Sequence, residues 1–153
     1  MKLFKYTIVF LIINFGALAI GSWLMNNGPQ TEWYQNLNQA PWTPPGWVFG
    51  MAWTIIMICF SIYMAYLYKA RPKSNVTGLF IIQFILNVIW NYVFFNQHMI
   101  DVSFVIILLL TLIVAAFFFS FSKVLRYKSA LILPYLIWLC IATSLNGYIL
   151  INN

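Results

Sequence analysis

Five long runs without a charged residue are the feature that most restricts what this chain can fold into. They cover residues 6–25, 47–68, 76–95, 102–122 and 129–151, and each is 20 residues or longer. A helix of about 20 apolar residues crosses the roughly 30 Å hydrocarbon core of a bilayer, because it rises about 1.5 Å per residue. No run alternates between polar and apolar residues, so barrel strands are not favoured. The sequence therefore predicts an all-α integral membrane bundle of five transmembrane helices, forming a single domain of residues 1–153.

Composition excludes most other classes of protein. Hydrophobic residues make up 63% of the chain and charged residues 7%, whereas soluble domains are about 45–50% apolar and about 25% charged. So few charges could not cover the surface of a soluble domain. The apolar content excludes disorder, and two cysteines exclude a disulfide-stapled scaffold. The basic residues behind the net charge of +6 lie where membrane topology requires them, so we expect no nucleic-acid partner.

The charges also predict an orientation. All eight bases lie on one side of the predicted bundle: Lys2, Lys5, Lys69, Arg71, Lys73, Lys123, Arg126 and Lys128. Both acids, Glu32 and Asp101, lie on the other side. The positive-inside rule then predicts a cytoplasmic N-terminus and an outer C-terminus, and we expect a bacterial plasma membrane. Residues 17–19 imitate a signal-peptide cleavage site, but the apolar run continues to Met25, which favours a retained first helix.

Residues 26–46 form the one long connection and fall on the outer side. This loop contains Trp33, Tyr34 and Trp42, which predict either an aromatic belt at the membrane interface or a lid over the bundle. Pro44 and Pro45 mark the start of the second helix, and Pro134 should kink the fifth helix and free the carbonyl of Ala130.

One face of the third helix is polar. At 100° per residue, Gln83, Asn87 and Asn91 fall with Trp90 and Phe94 in a stripe roughly 100° wide. The stripe must face the bundle interior, because an unpaired amide in lipid costs several kcal/mol. Two interpretations remain open: hydrogen bonds between helices, or polar contacts for a ligand.

Matching stripes occur on the second and fifth helices. They comprise Phe49, Trp53, Met57 and Phe60 on the second helix, and Pro134, Trp138, Ala142, Leu145 and Asn146 on the fifth. Three indoles can thus point inward from three helices. Aromatic walls with a few polar groups are typical of a site for a flat apolar ligand, and ordinary aromatic packing is the alternative.

The predicted spans lack the residues that ion-coupled transport or metal binding would need. No predicted helix contains an ionisable Asp, Glu, Lys, Arg or His, which argues against ion-coupled transport. Cys59 and Cys140 lie in different helices, and two cysteines cannot make a zinc site. We therefore expect no metal and no required cofactor.

Three motifs resemble those of a known family. Residues 33–53 read W-Y-x-x-L-x(3)-P-x(3)-P-x-W-x-F-x(3)-W, residues 83–95 read Q-x-x-L-N-x-x-W-x(3)-F-F, and residues 134–146 read P-Y-x-x-W-x(3)-A-T-x-L-N. Together and in this order they resemble the tryptophan-rich sensory protein / translocator protein family (TspO/MBR, peripheral-type benzodiazepine receptors), over nearly the whole chain.

The resemblance implies a homodimeric five-helix bundle with a pocket beneath the long loop, in contact with membrane lipid. Its ligands would be tetrapyrroles such as protoporphyrin IX, benzodiazepine-type compounds and, in animal members, cholesterol. Trp53 and Asn87 would make polar contacts with the ligand, and Trp138 and Ala142 would line the opposite wall. Trp33, Tyr34 and Pro45 would belong to the loop side. With the stripes, the predicted ligand-binding set is Trp33, Tyr34, Pro45, Phe49, Trp53, Gln83, Asn87, Trp90, Phe94, Trp138, Ala142, Leu145 and Asn146.

One feature departs from the family pattern. The sterol-associated pattern needs a basic residue after Leu145 and Tyr148, and only residues 149–153, none of them basic, follow. The sequence gives no support to sterol binding.

The expected function is a membrane-embedded, porphyrin-binding sensory or translocator protein whose pocket also accepts benzodiazepine-type ligands. Light- and oxygen-dependent porphyrin degradation, with Trp53 and Trp138 as its catalytic residues, is an alternative that leaves enzyme activity open. Passive porphyrin transport and a purely structural role are further alternatives.

Overall fold

Every regular element of the described chain is helical, which confirms the all-α class. The computed structural model describes residues 1–71 and 74–153; Lys73, one of the predicted inner-side bases, lies outside them. The α-helices are α1 (Lys2–Met25), α2 (Glu32–Gln35), α3 (Gly46–Ala70), α4 (Ser74–Asn91), α5 (Ile100–Leu125) and α6 (Leu133–Asn152). Short 3₁₀ segments cover Gly28–Gln30 and Arg126–Ile132, and a π-helical turn at Tyr92–Asn96 continues α4.

Five of these helices are long enough to cross a membrane. Four continuous helical stretches of the described chain qualify by length and apolarity, and the last one, Ile100–Asn152, spans 53 residues. The backbone of Arg126 reverses this stretch with φ 53° and ψ −120°. Hydrogen bonds between Ser103 and Asn146 (3.2 Å) and between Thr111 and Thr143 (3.1 Å) show that α5 and α6 are antiparallel. The predicted bundle of five long helices is confirmed.

The start of the last helix differs from the prediction. α6 begins at Leu133, so Pro134 lies in its first turn, where the missing N–H costs nothing. The preceding 3₁₀ segment lets the N–H of Leu133 donate to the carbonyl of Ala130. The prediction that Pro134 kinks the helix and frees that carbonyl is therefore wrong. Pro45 directly precedes α3, as expected for a proline at a helix start.

The long helices form a ring in the order α3, α1, α4, α5, α6. α1 packs along α3 and α4, and α5 packs along α4 and α6. The ring closes between α6 and α3, and this neighbouring pair has the least backbone contact. We call the end with residues 26–45 the loop end and the opposite end, which carries all the described lysines and arginines, the basic end.

The two halves of α3 are packed differently. Its buried residues all lie between Ile56 and Leu67, towards the basic end, where α3 also packs on the segment Arg126–Ile132. None of residues 46–55 is buried, although they include Phe49, Met51 and Trp53. The outer half of α3 is therefore packed more loosely than the inner half.

Candidate functional site

Aromatic side chains from the outer half of α3 and from α6 face each other. The ring centroids of Phe49 and Trp138 are 5.4 Å apart at 82°, and those of Trp53 and Tyr135 are 5.9 Å apart at 74°. These are edge-to-face contacts, the arrangement that the charge distribution of aromatic rings favours. Ala142 lies half-buried one turn beyond Trp138. We call Phe49, Trp53, Trp138 and Ala142 the α3–α6 seam.

Two hydrogen bonds fix the level of Asn87 relative to the seam. The Tyr135 hydroxyl donates to Gln83 Oε1 at 2.9 Å, and Trp90 Nε1 donates to Asn146 Oδ1 at 3.0 Å. α4 and α6 run in the same direction, from the basic end to the loop end. Asn87 lies between the two bonded levels on α4, and Trp138 and Ala142 lie between them on α6. The fold thus places Asn87 at the height of the seam.

Three polar side chains near this level have no hydrogen-bond partner in residues 1–71 and 74–153. Among the described residues, Trp42 and Trp90 donate indole hydrogen bonds, but Trp53 and Trp138 do not. The Asn87 amide also makes no side-chain hydrogen bond there, although its residue is only 8% exposed. Among the described residues, the Ser129 hydroxyl is the one fully enclosed side-chain polar atom that has no hydrogen-bond partner. The groups of Trp53, Asn87 and Trp138 are therefore still reachable from outside, so three donors are available to a ligand.

The other amides of the stripe are occupied. Gln83 accepts from Tyr135, and Asn146 Oδ1 accepts from both Trp90 and the Ser103 hydroxyl at 3.2 Å. Asn146 Nδ2 also donates to the carbonyl of Ile100 at 3.3 Å. Part of the polar stripe thus forms the hydrogen bonds between helices that the sequence left open. Ligand contacts of Gln83, Leu145 and Asn146 stay predictions.

The remaining predicted residues gather in a second cluster at the loop end. Trp33 and Tyr34 pack edge-on against Phe94, at 5.6 Å and 6.2 Å between ring centroids, and Trp90 stacks on Phe94 at 5.0 Å. Phe95 lies 5.3 Å from Tyr34. We call Trp33, Tyr34, Trp90, Phe94 and Phe95 the loop-end cluster. Burial raises the pKa of the Tyr34 phenol, so this group stays neutral.

The structure therefore divides the predicted ligand-binding set between two places. Trp33 and Tyr34 lie over the end of α4, whereas Pro45 is exposed at the start of α3. Tyr135, which the predicted set omits, links Gln83 to Trp53. Its place three residues before Trp138, on the same face of α6, is the signal that could have identified it.

The long loop is tied to the end of α6. The Asn38 backbone N–H donates to Asn153 Oδ1 at 2.9 Å, and Asn38 Nδ2 donates to the Asn152 carbonyl at 2.9 Å. Trp42 Nε1 donates to the Ser144 hydroxyl at 3.0 Å, and its ring packs on Tyr148. Residues 38–45 thus cross from the end of α6 to the start of α3, above the seam, which is where a lid would lie.

Two grooves of the structure lie away from the seam. One, of about 380 Å³, faces the membrane between α1 and α4, and the other, of about 370 Å³, lies at the basic end. The first is lined by Leu24, Phe84, Ile85, Val88, Ile89 and Tyr92, almost all of them apolar. We favour the seam as the ligand site because it combines aromatic walls with unpartnered donors. A flat ligand would have to part the edge contact between Phe49 and Trp138.

The chain is similar in sequence to known proteins over most of its length. The TspO/MBR family matches residues 8–151. The tryptophan-rich sensory protein of Cereibacter sphaeroides is 32% identical over 115 residues, covering 75% of this chain and 73% of that protein. The tryptophan-rich protein TspO of Archaeoglobus fulgidus is 31% identical over 160 residues, covering 100% and 97%. The human translocator protein is 31% identical over 126 residues, covering 78% and 74%. With its five-helix membrane bundle, the chain belongs to the TspO/MBR family.

Proposed function

We propose that this protein binds a tetrapyrrole, with protoporphyrin IX as the test ligand, at the α3–α6 seam. Membership of the TspO/MBR family and relatives named as sensory and translocator proteins support a membrane sensory or translocator role. The observation that carries the ligand proposal is that the polar groups of Trp53, Asn87 and Trp138, which lie near one level of the bundle, have no partner among the described residues.

The chemistry of a porphyrin suits these groups. Its macrocycle is flat and apolar, so it can replace the edge contacts between Phe49 and Trp138 with stacking contacts worth about 0.5–1.5 kcal/mol each. Its carboxylates and ring nitrogens can accept hydrogen bonds from indole N–H groups and from an amide. Donors in a low-dielectric site favour such acceptors strongly, because no water competes for them. A benzodiazepine-type ligand, also flat and carrying a carbonyl, would compete for the same place.

A titration in the dark tests the proposal. Purified protein in detergent is titrated with protoporphyrin IX while tryptophan quenching is followed. Trp53→Phe and Asn87→Ala each remove one donor and should weaken binding about tenfold, since a hydrogen bond of about 1.4 kcal/mol corresponds to that factor. Trp23→Phe is the matched control, because Trp23 is 78% exposed on α1. Equal affinities in all variants would refute the seam as the site.

Light extends the same titration to a second candidate function, porphyrin degradation. Two electron-rich indoles without hydrogen-bond partners, Trp53 and Trp138, lie where the pigment would sit, and this favours the candidate. Degradation predicts that pigment absorbance decays only under light and oxygen, and more slowly in Trp138→Phe. A stable spectrum would leave a binding protein. Passive transport predicts faster porphyrin uptake by proteoliposomes than by empty vesicles.

The proposal includes an orientation, in which the basic end faces the cytoplasm of a bacterial plasma membrane, and a homodimer as the assembly. The described bases lie at the basic end, whereas Glu32 and Asp101 lie at the loop end. With Cys59 and Cys140 replaced by serine, Glu32→Cys should react with an impermeant thiol reagent on intact cells. Reaction only after lysis would reverse the orientation.

A further inference from the structure

A groove at the basic end combines a cation with an apolar floor. It has a volume of about 370 Å³ and lies between α3 and the segment Arg126–Ile132, lined by Ile62, Tyr66, Tyr127, Lys128, Ala130 and Leu131. The Lys128 ammonium lies 4.4 Å from the centre of the Tyr66 ring and 5.8 Å from the centre of the Tyr127 ring. These contacts hold a half-buried lysine in place, because a cation is attracted to the face of an aromatic ring.

The chain offers this cation no anion. Its two acidic side chains, Glu32 and Asp101, both lie at the loop end, on the far side of the membrane-spanning region. A half-buried ammonium keeps three hydrogen-bond donors, and a ring face satisfies none of them as a hydrogen-bond acceptor does. An anion that pairs with Lys128 would therefore have to come from outside the chain.

The groove changes from polar to apolar along the membrane normal. Tyr66 lies four residues before the end of α3 at Ala70, and Ile62 lies one turn further from that end, about 6 Å deeper at 1.5 Å per residue. Tyr127 is 82% exposed, whereas Leu131, on the far side of Lys128, is half-buried. An amphiphile with an anionic head at the depth of Lys128 and a chain along Ile62 and Leu131 would match both parts.

We propose that this groove binds one anionic phospholipid, with the phosphate on Lys128 and an acyl chain along Ile62, Tyr66 and Leu131. Charge complementarity selects the headgroup, since the surrounding end of the bundle carries further bases and no acid. The apolar floor selects a lipid over a free anion, because Ile62 and Leu131 give an acyl chain a surface to pack against, whereas a free anion has no apolar part that could use it. The site is independent of the α3–α6 seam and of porphyrin binding.

Native mass spectrometry of delipidated protein tests the proposal. The protein is titrated with phosphatidylglycerol and with phosphatidylcholine of the same acyl chains. We expect one phosphatidylglycerol per chain, bound about tenfold more tightly than phosphatidylcholine. Lys128→Gln should abolish this preference, and Lys128→Arg should retain it, because arginine keeps both the charge and the contact with the ring. Tyr66→Leu keeps an apolar wall but removes the ring, and should weaken phosphatidylglycerol binding about threefold.

Lys123→Gln is the matched control, because it removes the same charge from an exposed position in the last turn of α5, outside the groove. It should change phosphatidylglycerol affinity less than twofold. Equal losses in Lys123→Gln and Lys128→Gln would overturn the proposal and leave a general attraction of basic protein for anionic membranes. Equal binding of the two lipids, or displacement of phosphatidylglycerol by inorganic phosphate alone, would also overturn it. Thermal unfolding without lipid checks that each variant is folded.

Discussion

The inner and outer halves of α3 differ in how tightly they are packed, although they belong to one continuous helix. In the inner half, Phe60 is fully buried and has ring neighbours on three other helices, including Tyr135 at 5.0 Å and Phe117 at 6.0 Å. In the outer half, Phe49 and Trp53 each meet one ring of α6, and neither is buried. Lipid solvates apolar side chains as well as protein does, so close packing is what holds membrane helices together. The well-packed half thus stabilises the bundle, and we call it the frame. The loosely packed half is the part that the proposed ligand would enter.

The largest effect on stability should come from truncating a large buried side chain in the inner half. Phe60→Ala leaves a cavity among rings that cannot all move into it, and should lower the free energy of unfolding by about 3 kcal/mol. Unfolding by SDS in mixed micelles measures this change. Phe119→Ala is the control, because Phe119 is 71% exposed to the membrane, and it should change stability by less than about 0.5 kcal/mol. Similar losses in the two variants would contradict the assignment of the inner half as the frame.

A smaller effect should come from the loop end. A Cβ at Gly28 would clash with the Phe95 ring, so Gly28→Ala should displace the loop from α4 and cost about 2 kcal/mol. Gly50 lies in the outer half of α3 with nothing within 4 Å of such a Cβ. Gly50→Ala should therefore be neutral or slightly stabilising, since alanine favours a helix. Thermal unfolding distinguishes the two, and a destabilised Gly50→Ala protein would show that the outer half is tightly packed after all.

A still smaller effect should come from the one buried amide contact between α1 and the inner half of α3. Asn14 Nδ2 donates to the Ser61 hydroxyl at 2.9 Å. In membrane proteins such contacts average about 0.6 kcal/mol, because the separated helices also find partners. A double-mutant cycle with Asn14→Ala and Ser61→Ala should give a coupling free energy near that value. A coupling of zero would mean that packing alone holds α1 against α3.

The smallest stability effect should come from Trp53→Phe in the outer half. Phenylalanine keeps an aromatic ring against Tyr135 and removes an N–H that has no partner, so we expect a change below about 0.5 kcal/mol. The same SDS unfolding measures it, beside the porphyrin titration of this variant. A loss of about 2 kcal/mol would place Trp53 in the frame and remove the distinction between the two halves.

The fold could be predicted because the bilayer restricts it so strongly. A charge-free run of about 20 residues has few alternatives to a transmembrane helix, so all five long helices lie where the sequence places them. Their ends were harder to predict. α1 begins at Lys2 rather than at residue 6, because a lysine at a helix end can extend its ammonium to the interface. The 3₁₀ segment before α6 and the π-helical turn after Asn91 have no clear sequence signal.

The candidate site was predictable only in part. Helical periodicity places Trp53, Asn87 and Trp138 on inward faces, and the structure brings them to one level. Periodicity cannot say which amide meets which partner, because that depends on how far one helix slides along another. Asn87 and Asn146 looked alike in the sequence, yet only Asn146 is occupied by Trp90 and Ser103. The position of Trp33 over Phe94 likewise depends on the path of a long loop.

The hydrogen bonds of Asn38 have a consequence for the order in which the protein is made. Their partners, Asn152 and Asn153, follow it by 114 and 115 residues. The ribosome therefore synthesises the loop early, whereas its hydrogen-bond partners emerge only at the end of α6, the fourth long helix after the loop. Until α6 has crossed the bilayer, residues 38–45 have nothing to hold them above the seam. Assembly of the proposed ligand site should therefore follow the insertion of α6, and a chain stalled before α6 would carry an open loop.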